Sequence, residues 1–227
     1  MNAEPLSLSM DIVADDAVLE GSLTCPRNAF GLVIFAHGSG SSRFSPRNRY
    51  VADHLHAAGL ATLLFDLLSA EEAAHASCRF DIGLLAQRLC TATRAVGSIA
   101  RERKLRLGYF GASTGAAAAI LAETESDEAR PIDAIVSRGG RPDLAGQRAL
   151  SLLACPTLLI VGAADQDVLD LNRQALSHMQ CEKALETVPR ATHLFEEAGA
   201  LEQVAELARA WFVRHLSSTT QLHPHAR

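Results

Sequence analysis

The sequence predicts an α/β protein built on a doubly wound, mostly parallel sheet with an antiparallel hairpin at its N-terminal edge. Apolar runs recur at 32–36, 60–65, 105–110, 132–136 and 157–161, with a weaker one at 184–188. Continuous apolar runs of this length suit strands covered by helices on both faces, as in a parallel sheet. Gly108, Gly111, Pro156 and Gly162 stand at or near the ends of the runs, which favours strand over buried helix. Between the runs, apolar residues take helical spacing. Leu85, Leu89, Ala92, Val96 and Ile99 mark one face of a long helix, and Leu201, Val204, Leu207, Ala208, Trp211 and Phe212 mark another near the C-terminus. Strand and helix alternating over most of a chain imply parallel strands with helical crossovers.

The edge hairpin comes from the first 25 residues. Leu6, Leu8 and Met10 alternate with polar residues, and a second short strand around 18–23 follows an acidic turn at Asp15 and Asp16. We expect a single domain over residues 1–216 and a disordered tail over 217–227, where the apolar pattern stops. At 227 residues the chain is long enough to bury a full core. A formal charge of −5 and the lack of any dense basic run exclude an electrostatic footprint for nucleic acid. No apolar stretch reaches the roughly 20 residues of a membrane span, and the acidic start lacks the pattern of a signal peptide. Five scattered cysteines with no C-x-x-C pair suit a reducing compartment and argue against a structural metal. The expectation is a cytoplasmic protein with no membrane or nucleic-acid partner and no metal. It would be a monomer, or a homodimer through an exposed sheet edge.

The chemistry centres on Gly111-Ala112-Ser113-Thr114-Gly115, a G-x-S-x-G motif with an apolar strand before it and an alanine-rich helix start after it. In that context a sharp strand-to-helix turn holds the serine hydroxyl above the sheet edge as a nucleophile; a Gly-Ser turn without chemistry is the alternative. His37-Gly38-Ser39-Gly40-Ser41-Ser42 follows the first parallel strand. Acyl transfer needs backbone N–H groups aimed at the developing oxyanion, and the amides of Ser39 and Thr114 are the candidates. The glycine-serine run lacks the lysine and spacing of a phosphate-binding P-loop, although a plain flexible loop would read the same. His37 precedes the nucleophile and reads as a structural hydrogen-bonding residue.

A nucleophile at such a turn takes its acid and its base later in the chain, in that order. Asp165 is the first carboxylate after the strand at 157–161, and Asp167 is its rival; either could instead cap the following helix. His193 lies on a strand-to-helix loop after Asp165, where His178, His215, His223 and His225 do not. Neutral His193 would take the Ser113 proton while the carboxylate holds its tautomer. Arg43, Arg47, Arg138 and Arg141 sit on loops at the same edge. Arg43 and Arg138 in particular are candidate substrate-binding residues for a carboxylate or phosphate, unless local carboxylates pair with them.

Taken together, His37-Gly38-Ser39-Gly40, the Ser113 motif, Gly162-Ala163-Ala164-Asp165 with Val168, and Thr192-His193-Leu194-Phe195 resemble the α/β-hydrolase superfamily. Within it they are similar to the dienelactone-hydrolase-like proteins. The resemblance runs from Leu6 to Leu216 and implies an eight-stranded sheet and a serine-type hydrolase without a cofactor. Dienelactone hydrolases proper carry a cysteine nucleophile where this chain has Ser113, so dienelactone itself is a poor expectation as substrate. The short connection at 137–154 leaves no room for a full cap domain, and residues 68–80 are placed to shade an otherwise open site. A serine acyltransferase, or a silent fold used for binding, remain the other classes.

Overall fold

In a computed structural model, which describes residues 4–14, 17–125 and 131–217, the chain forms an eight-stranded sheet with helices on both faces. The turn read at Asp15 and Asp16 and all but the first residue of the tail read at 217–227 lie outside the described residues. The elements are β1 (Leu6–Ala14), β2 (Ala17–Cys25), β3 (Gly31–Ala36), α1 (Pro46–Ala57), β4 (Leu60–Phe65), α2 (Ala70–Ala74), α3 (Ala76–Arg79), α4 (Ile82–Ala95) and α5 (Gly97–Glu102). There follow β5 (Arg106–Ala112), α6 (Thr114–Glu125), β6 (Ala134–Arg138), α7 (Gly146–Leu152), β7 (Thr157–Gly162), α8 (Gln166–His178), β8 (Lys183–Val188) and α9 (Ala200–Leu216).

The strands lie in the order β1-β2-β4-β3-β5-β6-β7-β8. β1 pairs antiparallel with β2, and β2 antiparallel with β4; every other pairing is parallel. Every residue of β3, β4 and β7 is buried, which is why these strands read as unbroken apolar runs. One face packs Val33, Phe35, Phe110, Val136 and Ile160 beneath α1 and α9. The other packs Ile34, Leu107, Tyr109, Ile135 and Leu159 against α4, α5, α6, α7 and α8.

Three boundaries differ from the sequence-based expectation. β5 runs on to Ala112, so the strand delivers its chain directly to the serine. β6 lies two residues later than the apolar run at 132–136. The single long helix expected over Leu85 to Ile99 is two helices, α4 and α5, meeting at Val96. Gly97 opens the second, and glycine is unfavourable inside a helix because of the backbone entropy it loses. Helix α1 starts at a Ser45 cap, whose hydroxyl accepts from the Asn48 N–H at 3.3 Å, with Pro46 in the first turn.

Candidate active site

The C-terminal ends of β3, β5, β6 and β7 point the same way in a parallel sheet, and the candidate residues lie on or beside the loops that follow them. At the end of β5, Ser113 has φ +51°, a left-handed conformation that a serine adopts only when its surroundings impose it. The flanking glycines impose it. A Cβ on Gly111 would fall 2.5 Å from the Ala116 Cα, and one on Gly115 would fall 2.1 Å from the Ala36 carbonyl oxygen. Only glycine lets β5, the start of α6 and the end of β3 approach this closely. The Ser113 N–H donates to the Arg138 carbonyl at 3.3 Å, tying the turn to β6.

The structure brings Asp165 and His193 together: Nδ1 of His193 lies 2.8 Å from Oδ2 of Asp165. The carboxylate accepts the Nδ1–H, which leaves Nε2 of the neutral ring as a base. Asp165 occupies the residue before α8 yet makes no capping hydrogen bond, its side chain being turned to His193 instead. Asp167 is exposed in the first turn of α8, away from the imidazole's hydrogen bond. The His193 ring borders Gly139, where a Cβ would lie 3.6 Å from its Cε1. Ser113 Oγ makes no hydrogen bond among the described residues.

Thr114 opens α6, where a first-turn N–H has no intrahelical acceptor and points out of the positive helix end. The Ser39 N–H is aimed at the same corner but is engaged, donating to the Thr114 hydroxyl at 3.0 Å. Sequence reasoning missed this contact because 75 residues separate its partners. An oxyanion would share the Ser39 donor or displace the hydroxyl from it.

His37 holds the loop between β3 and α1. Its Nδ1–H donates to the Gly38 carbonyl at 3.0 Å, and its Nε2 accepts the Leu67 N–H at 3.0 Å. Burial pushes the ring's pKa below 6.5, keeping it in the neutral form that this pair of bonds requires. The folded pKa therefore lies below the unfolded one. Stability from this group is fully present above pH 6.5 and is lost as pH falls through the folded value. Melting temperatures of wild type and His37→Asn between about pH 7.5 and 5 test this. Wild type is expected to lose more stability on acidification; parallel curves would show that the acid sensitivity lies elsewhere, for instance at the similarly depressed His56 and His215.

Beside this corner lies a cavity of about 390 Å³, lined by His37, Gly38, Ser39 and Thr114 on one side and by Leu68, Ala73 and Arg79 on the other. The segment at 68–80 thus walls a cavity beside the Ser39–Thr114 corner, through Leu68, Ser69, Ala70, Ala73 and Arg79. The connection at 137–154 contributes a short turn at Pro142–Ala145 and α7, with no cap domain among the described residues.

The arginines divide. Arg43, expected to bind substrate, is instead clamped between Asp66 and Glu20. Arg141 meets Asp143 through two hydrogen bonds of 2.9 and 2.8 Å. Arg138 has no such partner among the described residues and is 9% exposed.

An eight-stranded sheet in this order, with a strained serine after β5 and an Asp–His pair after β7 and β8, defines the α/β-hydrolase class. Comparison with solved structures agrees. Dienelactone hydrolase from Anabaena variabilis is 50% identical with a TM-score of 0.87, covering 95% of this chain and 100% of that one. Est1E from Butyrivibrio proteoclasticus shares the fold at 16% identity, with a TM-score of 0.77 over 92% of this chain and 99% of its own. The chain belongs to the dienelactone-hydrolase-like family of the α/β-hydrolases. A Mycobacterium tuberculosis protein named "Putative phosphoribosyl transferase" is 53% identical over 207 residues, 91% of this chain and 46% of that protein. The chain thus spans about half the length of the curated relatives it matches. No family profile matches the sequence.

Proposed function

We propose that the chain is a serine hydrolase that cleaves an ester-type bond of a small molecule through an acyl-enzyme intermediate. The observation that carries this is the combination of Ser113 at φ +51° with the 2.8 Å Asp165–His193 hydrogen bond on the same sheet edge. His193 Nε2 takes the Ser113 proton as Oγ attacks the carbonyl carbon, and the N–H groups of Thr114 and Ser39 receive the oxyanion. The protonated ring then gives its proton to the leaving alcohol oxygen. Water, activated by the same nitrogen, attacks the acyl-serine and restores Ser113. The dienelactone hydrolase neighbour favours hydrolysis over acyl transfer to an alcohol.

Labelling with a fluorophosphonate probe, read by intact mass and peptide mapping, tests the proposal. One adduct on Ser113, lost in His193→Ala, is expected. Well-folded protein that takes up no probe would leave the fold as a binding scaffold.

The name carried by the M. tuberculosis relatives suggests phosphoribosyl transfer as a second reading. We do not carry that named activity over, because this chain matches only 46% of those proteins and its Ser113, Asp165 and His193 suit acyl chemistry.

A further inference from the structure

Arg138 closes β6, and its side chain leaves the sheet on the face of Ala134 and Val136, beneath α1 and α9. It is 9% exposed, and its Nε and Nη1 make no hydrogen bond with any described residue. A buried, unpaired charge is costly unless a ligand or counter-ion completes it. Arg138 cannot escape by losing its proton. Burial and the neighbouring Arg47 charge bring its pKa down only to about 10, so it stays cationic at neutral pH. Arg47, in the first turn of α1, shares the deficit. Its Nη1 reaches the exposed Glu196 at 3.3 Å, while its Nε is buried without a partner. Asn48 beside it is 2% exposed, with Oδ1 also unpartnered. The positive end of the 12-residue helix α1 adds to this field.

We infer that Arg138, Arg47 and the first turn of α1 bind a phosphate monoester group carried by the substrate. Two guanidinium charges face one exposed carboxylate among the described residues, so the site keeps a net positive charge that an anion would neutralise. The three unpartnered nitrogens, Nε and Nη1 of Arg138 and Nε of Arg47, call for a group with three acceptor oxygens, which a phosphate monoester has and a carboxylate lacks. A hydroxyl on the phosphate, or on the group bearing it, would satisfy Oδ1 of Asn48. The backbone of Arg138 accepts from the Ser113 N–H, and the next residue, Gly139, borders His193. The site is therefore joined, through the Arg138 backbone, to the turn that carries Ser113. Assigning the anion to a substrate rests on the hydrolase proposal; the anion site itself does not.

The test titrates inorganic phosphate into Ser113→Ala protein by calorimetry and by thermal melting, with sodium chloride matching ionic strength. Phosphate is expected to bind and to raise the melting temperature. Arg47→Gln should weaken binding about tenfold, the loss of one charge-assisted contact. Arg138→Met should melt higher than its parent in phosphate-free buffer, because an uncompensated charge is gone, and should no longer respond to phosphate. Phosphate binding unchanged in both variants, or acetate binding as tightly as phosphate, would overturn the site. On wild type, kcat/KM for a phosphorylated ester should exceed that for a neutral ester of equal size by at least about tenfold. Equal values despite phosphate binding would remove the substrate assignment. Phosphate binding in a protein that turns over no ester would overturn the hydrolase proposal instead.

Discussion

Ser113→Ala should lower kcat on a short chromogenic ester by about 10⁶-fold, the scale reached when the nucleophile of a serine triad is removed. The loss is total for the covalent route because no neighbouring side chain can replace the hydroxyl at that point. Thr114 is the nearest hydroxyl in sequence, but its Oγ1 already accepts from the Ser39 N–H. The fold should survive. Alanine at φ +51° carries the same backbone strain as serine, and Ser113 Oγ has no hydrogen-bond partner among the described residues to lose. A thermal melt within a few degrees of wild type, with activity at background, is the expected pair of results. Retention of a tenth of wild-type activity would mean that the hydrolysis measured does not pass through Ser113.

Asp165→Asn is expected to cost about 10⁴-fold in kcat, whereas Asp167→Asn should change it less than about twofold. The asymmetry follows from hydrogen bonding. Asp165 accepts the Nδ1–H of His193, fixing the tautomer whose Nε2 can receive a proton. An asparagine turns its amide N–H toward Nδ1, so the ring's own proton moves to Nε2 and the base is lost. KM should move little, because the ring's position is kept. The exposed carboxylate of Asp167 touches neither nitrogen in the described hydrogen bonds. Comparable losses in the two variants would show that the carboxylates act through the stability of α8 and not through His193.

The local sequence by itself determined the buried strands, the serine turn and the chain order of the candidate residues Ser113, Asp165 and His193. β3, β4 and β7 are legible because burial on both faces forces uninterrupted apolar residues. The serine turn is legible because the close approach of Ala36 and Ala116 excludes any Cβ at Gly111 and Gly115, leaving a fixed spacing in the sequence. The break at Val96 was hidden because the apolar stripe runs through both α4 and α5, so periodicity could not register the change of helix. Tertiary structure alone decided between Asp165 and Asp167, which have the same chemistry two residues apart. The choice lies in which carboxylate a histidine 28 positions later can reach. It also separated the two arginines that read alike, pairing Arg43 with carboxylates and leaving Arg138 without one among the described residues. Nothing local to Arg43 tells that Asp66 and Glu20 will clamp it, or to Arg138 that no carboxylate will. Periodicity and turn chemistry are properties of neighbours along the chain; charge pairing depends on which distant residues the sheet sets side by side.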